Sequence, residues 1–387
     1  MDFSPNPSVA AFTAEVRDFL AAHLTDDMRH EMHRSGTSHD EGLHRAIAAR
    51  GWLAAAIPGS PDARDPFEMA ALFRELELAD APYHGLSVTM LVAGVIQQVG
   101  SDGLRAKVLP EILSGDALCC LGYSEPDHGS DVAAASTRAT PNDEAHTTWT
   151  INGQKMWTTL AHLSRYVLLL TRTDPDVPKH RGLTMFLVPL ETPGISMQPV
   201  HTMAGDRTNV TFYDDVVVGD EWRIGDVNGG WHVMGVALAL ERGVMGGTAP
   251  GEVLWHSAVA WARGAGLTDR PRVREVVART RIDVEVSWLL AQRTAAIAAG
   301  GGLPSVEGSI TKLFATESYT RAARAWQDLA GADGLLDMDA PGAIADGAIE
   351  RAARHAPLTT IYGGTSEIQR NNIAERHLGL PSTRRRS

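Results

Sequence analysis

Apolar residues recur with one spacing at the two ends of the chain and with another in the middle. Val9, Phe12, Val16, Phe19 and Leu20 share one helical face behind Pro7-Ser8, where a proline's fixed φ and missing N–H suit a first turn. Met69, Leu72, Phe73 and Leu76 predict a second helix and residues 86–99 a third; Pro110 and Gly115 punctuate the end of this block. The middle reads differently. Thr147-Thr148-Trp149-Thr150-Ile151 is rich in strand formers, and Asn152-Gly153 predicts a tight turn from which residues 154–159 run back as a hairpin partner. Residues 166–170, 183–188 and 210–218 are further strand candidates between prolines and glycines. From Trp231 the helical period returns, with Val276, Val277, Ile282, Val286, Leu289 and Leu290 on one long amphipathic segment and Ile310, Leu313 and Phe314 on another. Residues 299–304 form a glycine-rich loop between these two, and Ser366-Glu367-Ile368-Gln369 predicts a capping box opening a last helix that Gly379 and Pro381 stop. The expected class is α+β and mostly helical: a helical domain over 1–118, a β domain over 119–228 and a helical bundle over 229–387.

Composition agrees and removes several functions. At 387 residues the chain exceeds the ~250–300 at which one core stops growing, so several subdomains are expected. A formal charge of −12 argues against a general nucleic-acid binder, which needs a basic surface. The basic run Arg384-Arg385-Arg386 reads as a solvated end. Cys119 and Cys120, the only cysteines, are neighbours that do not pair and read as small buried hydrophobes, consistent with a reducing cytoplasm. The first residues carry no basic-then-apolar leader, and no stretch reaches the ~18 apolar residues of a membrane span. No G-x-G-x-x-G, Walker A loop or G-x-S-x-G elbow occurs. His30-Glu31-Met32-His33 sets its histidines at i and i+3, one short of the metalloprotease spacing, and reads as a solvated helix face; no metal is expected.

Three separated segments carry chemistry. In Leu121-Gly122-Tyr123-Ser124-Glu125-Pro126-Asp127-His128-Gly129-Ser130-Asp131, hydroxyls sit among glycines that let backbone N–H groups approach a flat ring or a phosphate. In Asn152-Gly153-Gln154-Lys155-Met156-Trp157-Thr158-Thr159, an aromatic precedes two hydroxyl residues. In Ile361-Tyr362-Gly363-Gly364-Thr365-Ser366-Glu367-Ile368-Gln369-Arg370, paired glycines precede a helix N-terminus, whose free N–H groups can receive an anion or carbonyl. Taken singly, these read equally as a turn, a core tryptophan and a capped helix.

Together, in this order, they resemble the acyl-CoA dehydrogenase family over nearly the whole chain; Leu109-Pro110-Glu111-Ile112-Leu113-Ser114-Gly115-Asp116 and Gly229-Gly230-Trp231 also fit. The resemblance implies an N-terminal helical domain, a middle β-barrel or sandwich domain and a C-terminal four-helix bundle with FAD at their junction, usually in a tetramer. It implies that Leu121, Gly122, Tyr123 and Ser124 line the flavin, that Ser130 lies near both flavin and CoA, that Trp157 covers the ring, that Thr158 binds the cofactor beside it and that the Thr159 hydroxyl bonds its N5. Thr365 and Glu367 would meet the ribityl-diphosphate portion, and Gln327 and Gly331 the FAD of a neighbouring subunit. Tyr362, Gly363, Arg242 and Ser130 would contact an acyl-CoA substrate, and an electron-transferring flavoprotein would accept the electrons.

In many members of the family a glutamate directly follows the tyrosine of the third segment; here that position is Gly363. Others, such as the isovaleryl and long-chain types, place the base on the first bundle helix, where Glu241 stands here. The residues agree: in the run 231–245 Glu241 and Arg242 interrupt an apolar wall, and an isolated carboxylate in such a wall is desolvated, which favours proton uptake. Glu241 is therefore the expected base for the α-proton of a CoA thioester, with hydride from Cβ passing to the flavin. The Gly363 N–H would hold the developing enolate oxygen. The family's R-x-x-F-G string is replaced by Trp261-Ala262-Arg263-Gly264-Ala265-Gly266-Leu267 and Asp269-Arg270-Pro271-Arg272-Val273-Arg274. That change, with Lys179-His180-Arg181-Gly182 and Val200-His201-Thr202-Met203-Ala204-Gly205, is similar to subunits of actinobacterial α2β2 enzymes that dehydrogenate steroid side chains. Other bulky thioesters, a non-catalytic partner subunit and a related flavin oxidase or monooxygenase stay open.

Overall fold

A computed structural model of the chain describes residues 6–55, 57, 59–244, 249–302, 304 and 306–382, with the backbone alone for residues 242–244. Among the described residues six helices come first: α1 (Pro7–His23), α2 (Asp26–Ser35), α3 (Glu41–Ala49), α4 (Pro66–Leu78), α5 (His84–Val99) and α6 (Asp102–Leu113). Local chemistry starts most of them: Asn6, Thr25, Asp40, Asp65 and Ser101 each accept a first-turn backbone N–H. The predicted face of α1 is buried, and its Phe12, Val16 and Phe19 pack with Leu43, Trp52, Leu72 and Leu76. Pro110, read from the sequence as punctuation, lies inside the last turn of α6, and Gly115 follows at φ +82°.

Eight strands follow: β1 (Cys119–Gly122), β2 (Arg138–Pro141), β3 (Thr148–Lys155), β4 (Tyr166–Arg172), β5 (Leu183–Pro189), β6 (Ile195–His201), β7 (Arg207–Gly219) and β8 (Arg223–Ile224). They form one sheet that does not close, in the order β6-β7-β3-β2-β4-β5-β8, with β1 pairing parallel to β4. Every residue of β4 is buried, because its two faces serve two cores. Leu168 and Leu170 pack with Val92, Val95 and Ile96 of α5, whereas Val167 and Leu169 pack with Trp149, Phe186 and Val216. At one sheet edge β6 alternates half-buried with exposed positions and carries Pro199, which an edge strand tolerates. Cys119 and Cys120 are buried free thiols in β1, as expected.

The predicted hairpin at Asn152-Gly153 is overturned. Residues 148–155 are one strand pairing with β7 throughout, and Gly153 (φ +144°) marks a bulge in it. Tertiary contacts decide this. A Cβ at Gly153 would lie 2.7 Å from Thr137 Cα, and Asn152 spends its amide on Asp215, donating to Oδ1 (2.9 Å) and accepting from the backbone N–H (2.9 Å).

The C-terminal helices are α7 (Gly230–Val244), α8 (Pro250–Gly264), α9 (Pro271–Ala299), α10 (Val306–Ala330), α11 (Ala348–Thr359) and α12 (Ser366–Arg376). Leu254, Val273, Tyr319, Trp326 and Ile349 form the bundle core. The capping box shifts by one residue: Thr365 is the N-cap and accepts from Ile368 N–H, while Ser366 is already in the helix and Gln369 turns back to other carbonyls. The motif at residues 30–33 is on α2, but His33 is bonded to Asp80 rather than solvated. The expected basic tail lies outside the described residues.

Helix α7 joins the three regions. Its Val233, Met234 and Ala237 enter the core shared by α5, β4 and β5, and Leu240 packs where a Cβ on Gly94 of α5 would lie only 2.9 Å from its Cδ1. Gly94→Val should therefore overpack this crossing and destabilise the protein by ~1–3 kcal/mol, read by denaturant unfolding. An unchanged midpoint would show that the two helices separate freely.

Candidate functional site

The site is built where the first and second motifs are tied to each other. Residues 121–125 leave β1 as residues 155–159 leave β3, and Met156 N–H donates to Ser124 O at 2.9 Å. Beneath them lies a fully buried ion pair. Lys155 falls in phase with the inward residues Trp149 and Ile151, so its ammonium is carried into the interior, where it meets Glu125 Oε1 at 2.8 Å and Tyr123 O at 3.2 Å. Glu125 also accepts from Ser136 N–H (2.7 Å), the Ser136 hydroxyl (2.6 Å) and Thr137 N–H (2.9 Å). Burial pushes the Glu125 carboxyl up, but Lys155 and these donors outweigh it and hold the group at about 2. Burial draws Lys155 down to about 8 against the pull of Glu125.

Past this clamp, Trp157 has a left-handed backbone (φ +63°) and leaves 52% of its surface open. A β-branched or aromatic residue rarely adopts such a φ, and here the neighbours impose it. Thr158 is buried, its N–H donates to Asn209 O (3.0 Å) and its carbonyl accepts from Asn209 Nδ2 (3.0 Å). Thr159 is half-buried, with its hydroxyl 3.2 Å from that of Thr208. Leu121, Tyr123 and Ser124 are half-buried and Gly122 buried. The Tyr123 hydroxyl is buried with no hydrogen-bond partner, and burial together with the Glu241 charge pushes its phenol above the ordinary value.

Glu241, in the last described turn of α7, faces the turn before α12. There Gly363 (φ +63°) and Gly364 (φ +86°) are consecutive left-handed residues, and a Cβ built on Gly363 would stand 3.3 Å from Glu241 Oε1. The carbonyls of this turn are tied down. Gln369 Nε2 donates to Gly363 O (2.9 Å) and Gly364 O (3.1 Å), and Lys312 Nζ of α10 donates to Gly364 O (2.6 Å). Burial draws the Lys312 ammonium down to about 8, while the Glu241, Glu317 and Glu367 carboxylates pull it the other way.

Three family models match in register with these regions: acyl-CoA dehydrogenase N-terminal domain over residues 6–116, middle domain over 120–216 and C-terminal domain over 228–378. Acyl-CoA dehydrogenase FadE26 of Mycobacterium tuberculosis is 33% identical over an alignment of 405 positions, covering 100% of both chains. The chain belongs to the acyl-CoA dehydrogenase family. Among solved structures, the Tcur3481-Tcur3483 steroid ACAD is similar at 30% identity and a TM-score of 0.88, covering 99% of this chain and 100% of that one. The ChsE4-ChsE5 complex from Mycobacterium tuberculosis is similar at 33% identity and a TM-score of 0.87, with the same coverage.

In this acyl-CoA dehydrogenase the structure brings residues 121–124 beside 156–159, and Glu241 beside Gly363. Ser130 is exposed in the loop beyond the Glu125–His128 turn. Thr365 caps α12, and Glu367 is exposed in its first turn, where its own N–H and the Thr365 hydroxyl lower its carboxyl. Gln327 lies 15 residues beyond Lys312 on α10, about 22 Å along the axis, and exposed Gly331 follows it, so neither reaches the Glu241 turn of its own chain. Tyr362 is half-exposed beside Gly363, and the Arg242 side chain lies outside the described residues. No cluster of metal-ligating side chains occurs and no helix is long and apolar enough to cross a membrane, in both cases among the described residues.

Sequence reasoning missed the Lys155–Glu125 clamp and Lys312. The inward phase of Lys155 in its strand could have pointed to the first; for Lys312 no local signal exists. Lys155→Met should cost ~3–5 kcal/mol by stranding the Glu125 charge, measured by thermal or denaturant unfolding. Because Glu125 is held below its unfolded value of 4.5, its share of stability is complete above that pH and is lost as pH falls towards 2. A Glu125→Gln variant should accordingly show a flatter loss of stability on acidification over that range.

Proposed function

We propose that this acyl-CoA dehydrogenase uses Glu241 as the base that removes the α-proton of a bulky acyl-CoA, giving the trans-2-enoyl-CoA. The observation carrying this reading is the 3.3 Å approach of Glu241 Oε1 to the place where a side chain at 363 would begin. Glycine gives up that place to the carboxylate. The Gly363 N–H donates to no acceptor among the described residues, and so is available for the thioester oxygen, whose developing charge a fixed donor stabilises.

The residues present fit FAD. A strained, half-exposed indole at Trp157, the hydroxyl of Thr159 and the unpaired phenol of Tyr123 offer a flat face and hydrogen-bonding groups beside the clamp. When bound, the flavin supplies the acceptor for the hydride from Cβ. Residues 121–124 and 157–159 would hold its ring, Ser130 the junction with CoA, and Thr365 and Glu367 its diphosphate side, while Gln327 and Gly331 would serve a neighbouring subunit. Reoxidation by an electron-transferring flavoprotein is part of the proposal.

Two observations favour an α2β2 assembly with a related chain. Arg263 and Arg270 are exposed at the α8–α9 connection where the R-x-x-F-G string is missing, and two similar solved structures, the Tcur3481-Tcur3483 steroid ACAD and the ChsE4-ChsE5 complex, each pair two named components. Steroid side-chain thioesters are accordingly the proposed substrate class.

Anaerobic titration with a panel of CoA thioesters, on the chain alone and with its related partner, tests the reading through flavin bleaching. Glu241→Gln should slow bleaching by about 10²–10⁴-fold; bleaching at the wild-type rate removes the base. Gly363→Glu should lower kcat/KM for bulky acyl groups more than for short ones, because it fills the turn with a second carboxylate. Unchanged specificity counts against the glycine as the source of room.

A further inference from the structure

Only four of the 35 basic residues are lysines. Lys107 and Lys179 are exposed, Lys155 forms the clamp, and Lys312 stands half-buried on α10 against the glycine turn. In a chain that otherwise uses arginine, a lysine inside the protein marks a place that takes a compact ammonium and not a planar guanidinium. One short bond fixes that place for Lys312. Its Nζ donates to Gly364 O at 2.6 Å and makes no ion pair among the described residues.

The preceding residue of the same turn, Gly363, is the one whose Cβ would stand 3.3 Å from Glu241 Oε1. The ammonium and the carboxylate thus meet the paired glycines from α10 and α7, with the turn between them. Glu241 acts on the ammonium more strongly than Glu317 or Glu367 does. Glu317 is already paired with Arg370 at 2.6 Å, and Glu367 is exposed to water. The other described side chains around α7 bring no free positive charge. Tyr123 faces Glu241 as a buried neutral phenol. His84, at the start of α5, is the one titratable residue of that helix, and β5 has none. On α4 and α9, Arg74 is held by Glu252, Arg281 by Glu285 and Arg293 by Glu307, while Glu77 accepts from the Tyr83 hydroxyl and Ala249 N–H.

A base in an apolar wall needs such an arrangement. Desolvation favours the protonated carboxyl, and a protonated carboxyl cannot remove a proton. A direct ion pair would restore the charge but occupy the oxygens that must receive the α-proton. A cation on the far side of the turn restores the charge without itself taking those oxygens. We propose that Lys312 is a positioning residue for the base: tethered to the Gly364 carbonyl, it keeps Glu241 ionised without pairing with it. Burial draws the ammonium down only to about 8, so it stays charged at neutral pH.

The proposal rests on the Glu241 reading, so the charge of the carboxyl and the chemistry are measured separately, both on the assembled holoenzyme. Anaerobic flavin bleaching by a CoA thioester that the enzyme turns over is followed against pH. It should rise as Glu241 ionises. In Lys312→Met that rise should move to higher pH by about one pH unit or more, since a nearby opposite charge favours the ionised form. Lys312→Gln, which keeps an N–H donor but no charge, should behave the same way and serves where the methionine variant does not fold. Lys312→Arg should leave the rise at its wild-type pH even where bleaching is slower. Infrared difference spectra between each protein and its Glu241→Gln counterpart read the protonation of this carboxyl without turnover, and their midpoint should move in step. An unmoved infrared midpoint in the neutral variants overturns the proposal whatever the bleaching rate, as does an arginine variant that shifts like them. An infrared midpoint that moves while the bleaching rise stays in place refutes Glu241 as the base and leaves the counter-charge standing.

Discussion

The contact between Glu241 and the Gly363–Gly364 turn constrains the rest of the molecule. A carboxylate on α7 can stand 3.3 Å from the origin of a side chain only if that side chain is absent. Two successive left-handed residues can be held there only if their carbonyls are anchored, which Gln369 and Lys312 accomplish. Each element that supplies a partner must then be placed to within a fraction of an ångström: α7 through Leu240 against Gly94, α10 through the bundle core, and α12 through its Thr365 cap. The helical bundle serves mainly to deliver these groups to one turn.

The sheet does the equivalent work on the other side. β4, buried on both faces, is the wall against which the N-terminal helices and α7 are packed, and β1 and β3 of the same sheet project the two motif loops. Their junction is sealed by a charge pair with no access to water. Such a pair adds little net stability over an apolar pair, but it penalises any arrangement in which only one partner is inside. Here it ties the order of residues 121–125 to that of residues 155–159, and leaves Trp157 in a backbone conformation it would not choose alone.

Much of this was legible in the order of residues. The helical period of Val9 to Leu20 and of Met69 to Leu76, and the β-rich stretches at 166–170, 183–188 and 210–218, became elements because their apolar faces are long enough to decide secondary structure locally. Family membership was legible for a related reason, since the three motifs keep their chemistry and order. Reading failed where a local signal competed with a distant contact. Asn152-Gly153 has turn chemistry, yet Thr137 and Asp215 hold it inside a strand. Ser366 has cap chemistry, yet Gln369 is drawn to the carbonyls of the glycine turn and Thr365 takes the cap.

By itself, then, the sequence determined the long periodic helices and the apolar strands, that they form a helical, a β and a second helical region, and which short motifs carry hydroxyls, glycines and the carboxylate of an apolar helix. Only the tertiary structure decided that Glu241 meets Gly363, that Lys155 and Glu125 close on each other across 30 residues, and that Lys312 reaches Gly364 across 52. Periodicity reports the environment averaged over one face of one element, whereas these pairings depend on the angle and separation of elements far apart in the chain. Side-chain packing sets those quantities, and no local pattern encodes them.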